Sequence, residues 1–75
     1  MALNVIVNKS DGEFRVMRTD TTPYVTKTFE QPEAAREYIS TLINSYKPKG
    51  IVGLYYQGFM TAEELEKVMY QPQKL

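Results

Sequence analysis

Apolar and polar residues alternate through the first part of the chain, as they do in half-buried β-strands. Residues 3–9 read LNVIVNK and residues 14–19 read FRVMRT, and an Asp-Gly pair at positions 11 and 12 lies between them. A type I′ turn needs positive φ at both of its central residues, and an Asp-Gly pair adopts that conformation at low cost. The pattern therefore predicts a two-residue β-hairpin.

The turn also predicts which residues share a face, because side chains alternate along each strand. With the Asp-Gly pair in the loop, Ser10 opposes Glu13 and, further along, Ile6 opposes Met17. The face predicted to pack in the core carries Leu3, Val5, Val7, Phe14 and Val16. The opposite face carries a mixed polar and apolar set: Asn4, Ile6, Asn8, Arg15, Met17 and Thr19.

A third strand and a long helix follow the hairpin. Residues 24–29 (YVTKTF) form the predicted third strand, with Val25 and Phe29 directed toward the core. Pro32 begins a helix, since proline suits the first helical position. Residues 47–50 (KPKG) end that helix with a proline and a glycine. Its apolar residues recur at three-and-four spacing: Ala34, Ala35, Tyr38, Ile39, Leu42, Ile43 and Tyr46.

The last elements are a strand and a short helix. Residues 51–57 (IVGLYYQ) are the predicted fourth strand, which Gly58 ends with a turn. Thr61 and Glu64 have the spacing of a capping box, in which each side chain bonds the other residue's backbone N–H. Residues 71–75 are predicted to form a flexible tail. The apolar members of the short helix are Ala62, Leu65, Val68 and Met69.

The element order βββαβα indicates an α+β fold in a single domain spanning residues 1–75. A helix between the third and fourth strands requires a crossover connection. The first strand suits a central position because it is apolar on both faces at Val5, Ile6 and Val7. We therefore expect a four-stranded, mostly antiparallel sheet with strand order 3-2-1-4, in which the first and fourth strands are parallel. Both helices should pack on one face and leave the other open.

The composition excludes several kinds of chemistry. The 75 residues include no cysteine and no histidine, so the chain has no disulfide framework, no thiol nucleophile and no imidazole base or metal ligand. The glycines match neither of the common phosphate-binding patterns. We therefore expect no enzymatic activity, no catalytic residues, no cofactor and no metal.

Charge and hydropathy also indicate which partners and which cell compartment to expect. Nine basic residues balance nine acidic ones, which removes the global attraction that supplies most nonspecific nucleic-acid affinity. No segment approaches the roughly 18 consecutive apolar residues of a membrane helix. The first residues also lack the basic start and cleavage region of a secretory signal. We expect a cytoplasmic protein that does not bind membranes.

Tyr55 is the residue that core packing explains least. Because side chains alternate along a strand, Tyr56 groups with the core-facing residues of the predicted fourth strand and Tyr55 lies on the open face. Tyrosine, methionine and arginine are enriched in protein interfaces. Gly53, inside the same strand, is either accommodated there without a special role or marks a bulge or the close approach of another backbone. The candidate partner-binding residues are Ile6, Arg15, Met17, Tyr24, Gly53, Tyr55 and Gln57.

Three short segments within residues 13–39 resemble the arm-type DNA-binding domain of phage and transposon integrases. They are Phe14, Arg15 and Val16; Lys27, Thr28 and Phe29; and Glu33, Ala34 and Ala35. That family builds a three-stranded sheet backed by one helix, and the fourth strand and second helix predicted here lie outside its pattern. The resemblance implies DNA binding through the sheet. The residues that would face the nucleic acid are Arg15, Arg18, Lys27 and Tyr24.

The leading functional hypothesis is a small non-enzymatic accessory or regulatory module, of bacterial or phage type, that binds another protein. The contact surface would be the open sheet face or an edge strand. A homodimer through residues 51–57 is one form of this hypothesis, because an unpaired edge can template strand pairing. The alternative is a nucleic-acid-binding domain that uses the sheet face, as in the integrase arm-type domains.

Overall fold

A computed structural model describes residues 2–70 and contains one four-stranded sheet with strand order 3-2-1-4. The strand β4 runs parallel to β1, whereas β1 with β2 and β2 with β3 are antiparallel. The predicted α+β fold and its strand order are therefore confirmed. The strands are β1 (Ala2–Ser10), β2 (Glu13–Arg18), β3 (Val25–Phe29) and β4 (Ile51–Gly58).

The hairpin between β1 and β2 has the predicted turn and register. Asp11 has φ 54° and Gly12 has φ 77°, the left-handed values that a type I′ turn requires. Ser10 pairs with Glu13, and the ladder continues to Val5 without interruption. The local turn chemistry therefore fixes which side chains of both strands face the core.

Two helices pack on one face of the sheet: α1 (Pro32–Tyr46) and α2 (Ala62–Val68). Pro32 begins α1 as predicted, and a single 3-10 turn, Lys47–Lys49, follows it. The capping box at the start of α2 is complete, since the Thr61 hydroxyl accepts from the Glu64 N–H and the Glu64 carboxylate accepts from the Thr61 N–H. Within residues 2–70, no helix has the length and hydropathy needed to cross a membrane.

The core lies between the sheet and α1, with Val68 of α2 at one side. The central strand β1 contributes Leu3, Val5 and Val7, whose side chains have no exposed surface. This agrees with the predicted hairpin face. The buried core residues are Leu3, Val5, Val7, Phe14, Val16, Ala35, Ile39, Leu42, Ile43, Tyr46 and Val68.

The helix-facing side is less completely covered at the β3 edge than the sequence predicts. Val25 is 46% exposed, so the prediction that it packs in the core is wrong. Helix α1 meets β3 mainly at the other end of that strand, where Tyr38 packs against Phe29 with ring centroids 5.4 Å apart. Ala34 and Ala62, grouped with the apolar helix stripes, are exposed as well. The predicted tail at 71–75 lies outside the described residues.

Candidate functional site: the open sheet face

The sheet face opposite the helices carries one continuous row of side chains from edge to edge. Thr26 on β3 pairs with Met17 on β2, Met17 pairs with Ile6 on β1, and Ile6 pairs with Tyr55 on β4. Paired residues of neighbouring strands point to the same face, so these four side chains lie side by side. The row is apolar through its middle and ends in hydroxyl-bearing side chains.

A second row, two residues further along each strand, is polar. Arg15 pairs with both Thr28 and Asn8, and Asn8 pairs with Gln57. A depression of about 240 Å³ lies where the two rows meet, with Arg15 and Gln57 among its walls. The open face thus combines an apolar strip with a guanidinium and two side-chain amides, the mixture that protein interfaces favour.

Tyr55 lies over Gly53 on the same strand. A Cβ at position 53 would stand 3.0 Å from Tyr55 Cε2 and 2.5 Å from Asn4 Oδ1, so a glycine leaves the space that these side chains occupy. The β1–β4 ladder runs unbroken through Gly53, which pairs with Asn4, so the glycine does not mark a bulge. With its ring supported in this way, Tyr55 still keeps 53% of its surface exposed.

Arg15 is the loosely held cation of the open face. Its guanidinium is 3.7 Å from the Glu13 carboxylate, and the two side chains are 44% and 41% exposed. Arg18, by contrast, donates two hydrogen bonds of 2.7 and 2.6 Å to Asp20, which lowers the pKa of that carboxyl below its usual value. An exposed pair at the Arg15 distance contributes little to stability, so the Arg15 side chain can exchange its partner at small cost.

The residues of the nucleic-acid alternative are not brought together on one surface. Arg18 pairs with Val5 and Lys27 pairs with Val16, so both basic residues belong to the helix side of the sheet, while Arg15 lies on the open face. Lys27 Nζ lies 5.1 Å from the centre of the Tyr38 ring on α1. Because side chains alternate along a strand, positions 15 and 18 of β2 must lie on opposite faces, and this separation can be read from the sequence.

Tyr24 precedes β3 and makes no ladder pair in the described structure. It is 59% exposed and lies at the edge of the molecule rather than in the central row. Of the candidate partner-binding residues, those that the structure brings together are Ile6, Arg15, Met17, Gly53, Tyr55 and Gln57.

A second hollow, of about 600 Å³, lies at the end of the sheet near the hairpin turn and the start of α2. Lys9 donates to Glu64 across this region and lies 5.1 Å from the centre of the Phe14 ring. Phe59 is 87% exposed at the same end. Sequence reasoning missed this group, because Lys9 and Glu64 are 55 positions apart and nothing in their local pattern links them.

Within residues 2–70 no three acidic side chains are grouped so as to hold a metal ion. Comparison of the chain with protein-family models, with curated proteins and with solved structures finds no match.

Proposed function

We propose that this chain is a non-catalytic protein-binding module whose contact surface is the open sheet face. The partner would cover the row formed by Met17, Ile6 and Tyr55, with Arg15 and Gln57 giving polar contacts beside it. The setting we propose is the cytoplasm, with a role as a small accessory or regulatory protein.

One observation carries this proposal: the Tyr55 ring lies over Gly53 at the end of the apolar row and yet remains exposed. A tyrosine side chain gives a large contact area with only two rotatable χ angles, so ordering it on binding costs little entropy. Ile6 and Met17 extend the same row inward to the centre of the sheet. A centre of tyrosine, methionine and arginine surrounded by polar groups is typical of binding surfaces.

The alternative, nucleic-acid binding, has less support. Phosphate recognition needs several cations that converge on one surface. Arg15 stands on the open face, whereas Arg18 and Lys27 belong to the other side of the sheet. A titration of the protein into labelled single-stranded and double-stranded DNA and RNA at low salt, about 50 mM, tests this alternative. Tight binding that weakens steeply with added salt would favour it over the protein-binding proposal.

The protein-binding proposal is tested by affinity capture with matched variants. Met17→Ala and Arg15→Ala alter the open face far from the β4 edge. Met69→Ala removes an exposed methionine at the end of α2, on the helix side, and is the matched control. Tagged wild type and the three variants are incubated with lysate of the source cells, and the captured proteins are quantified by mass spectrometry.

We expect at least one protein that wild type and Met69→Ala capture equally and that Met17→Ala and Arg15→Ala lose by tenfold or more. That protein is then purified and titrated by calorimetry. Equal capture by all four forms would contradict the role of the open face. Thermal melts of each variant establish that a loss of capture comes from the surface and not from unfolding.

A further inference from the structure

Within residues 2–70, the outer edge of β4 shows none of the features that usually protect a strand edge. In the part of the chain that the structure describes, β4 pairs only with β1, and its residues 51–57 include no charge and no proline. Its ladder with β1 is unbroken, so no bulge twists the edge away. Natural proteins normally block such edges with lysines, prolines, bulges or short strands.

The other edge of the sheet shows that protection. β3 has five residues against eight in β4, carries Lys27 at its centre and follows Pro23 by two positions. The two edges of one small sheet therefore differ in strand length and in charge within the strand. That difference favours a pairing function for β4.

The helix-facing side chains of β4 also favour pairing of another strand along its outer edge. Val52, Leu54 and Tyr56 pack against the core but stay partly exposed. Their partners in the ladder, Leu3, Val5 and Val7 on β1, have no exposed surface at all. On the open face Ile51 is 76% exposed. An added strand beside β4 would cover apolar surface on both faces of the sheet.

We propose that a second copy of this chain supplies that strand, so that two β4 strands pair antiparallel about a two-fold axis at Leu54. The two sheets then join into one continuous eight-stranded sheet. The proposal goes beyond the open-face function, since it concerns the edge of β4 and not the row of Met17 and Ile6. It gives a register and a symmetry to the homodimer through residues 51–57 that the sequence suggests.

The register of the two paired β4 strands follows from the length of β4 that has regular strand geometry. Gly58 still pairs with Lys9 on β1 but has φ 82°, so the regular part of β4 that a second strand can follow is residues 51–57. An antiparallel pair centred on Leu54 uses all seven of these residues. It sets Tyr55 of each copy opposite Gly53 of the other, whereas centring on Tyr55 would oppose two large rings directly. Cross-strand pairing of an aromatic with a glycine is favourable on a sheet face.

A second copy fits this edge better than a charged partner strand does. Residues 51–57 are uncharged and the whole chain has a formal net charge of +0, so two copies do not repel each other. A two-fold interface also closes on itself, which limits assembly to a dimer. The outer β3 edges of that dimer keep their Lys27 and do not extend the sheet further.

The first test measures association. Sedimentation equilibrium of the full chain over a range of concentrations is expected to show a monomer–dimer equilibrium. Tyr55→Lys places a charge on each paired edge and should weaken dimerisation at least tenfold. Tyr24→Lys, an exposed tyrosine at the opposite edge of the sheet, should leave it unchanged. A wild type that stays monomeric at about 1 mM overturns the proposal, and so does a dimer lost only in Tyr24→Lys.

The second test measures register. The chain has no native cysteine, so single-cysteine variants report one position each. In the proposed dimer the two Leu54 Cα atoms lie about 5 Å apart, within reach of a disulfide. The two Gln57 Cα atoms lie about 20 Å apart, because six residues separate position 57 from 51 along the strand. Leu54→Cys should form an interchain disulfide at least tenfold faster than Gln57→Cys.

Equal or reversed rates overturn the Leu54-centred register. The two proposals fail independently: loss of partner capture in Met17→Ala and Arg15→Ala leaves dimerisation unaltered, and loss of the dimer in Tyr55→Lys is read without any partner present.

Discussion

Lys9 donates a hydrogen bond to the Glu64 carboxylate, so the end of β1 is joined to the first turn of α2. The same carboxylate accepts from the Thr61 N–H and thereby completes the capping box. These contacts, with the Lys9 bond the largest contribution, lower the pKa of Glu64 below its usual value. One side chain therefore both starts the helix and holds it against the sheet.

Acid should destabilise the fold by protonating the Glu64 carboxylate. A carboxyl whose pKa is lower in the folded state adds stability above its unfolded pKa, and this stability is lost as the pH falls through the folded value. Asp20, bonded to Arg18, acts in the same direction. Urea denaturation of the wild type should therefore show stability that declines below about pH 4.5. Glu64→Gln should be less stable than wild type at neutral pH and should lose less on acidification.

The control for that experiment is Glu66→Gln, a change of the same kind on an exposed position of α2. It should keep the wild-type decline. A Glu64→Gln variant as acid-sensitive as wild type would show that the Lys9 contact does not hold α2 in solution.

Two glycines of β4 should respond differently to alanine. At Gly58, which has φ 82°, a Cβ would stand 2.6 Å from the backbone oxygen of Lys9. That oxygen is part of the β1 backbone and cannot rotate away as a side chain can. At Gly53 the nearest atoms belong to the Asn4 and Tyr55 side chains, which can rotate away. We expect Gly58→Ala to cost about 2–3 kcal/mol and Gly53→Ala about 1 kcal/mol or less.

Chemical denaturation of both glycine variants measures the two costs. The ring proton shifts of Tyr55 by NMR give a second readout, since Gly53→Ala should move the ring and Gly58→Ala should not. A Gly53→Ala cost as large as that of Gly58→Ala would mean that Tyr55 is fixed more firmly than its exposure implies.

Tyr55→Ala should leave the domain folded. Because about half of the Tyr55 side chain is in solvent, we expect a loss of about 1 kcal/mol or less in the free energy of unfolding. Phe14→Ala is the core comparison, since Phe14 is 2% exposed, and it should cost about 3–5 kcal/mol. Thermal melts of both variants check this, and a Tyr55→Ala loss in the Phe14 range would place Tyr55 in the core.

Tyr46→Phe should stabilise the protein. Within residues 2–70 the Tyr46 hydroxyl is the buried side-chain polar atom that makes no hydrogen bond. An unpaired buried hydroxyl costs desolvation free energy, so its removal should raise the free energy of unfolding by about 1 kcal/mol. Tyr56→Phe is the contrasting change, because the Tyr56 hydroxyl accepts from the Tyr70 N–H and its removal should destabilise. Urea midpoints of the two variants should move in opposite directions.

Much of the candidate site could be predicted from the sequence because strands alternate strictly. Once the Asp-Gly turn set the register of β1 and β2, the faces of Ile6, Arg15 and Met17 followed. The same rule put Tyr55 on the open face. It applies equally to Arg15 and Arg18, which are three positions apart on one strand and therefore lie on opposite faces. That separation argues against the nucleic-acid residue set.

The sequence by itself determined the elements, the hairpin register and the starts of both helices, since each depends on residues within a few positions of one another. The tertiary structure alone decided that Asn4 lies against Gly53, that Lys9 reaches Glu64, and that Val25 stays exposed. Those outcomes depend on how distant segments pack, and local periodicity carries no information about the angle at which a helix crosses its sheet.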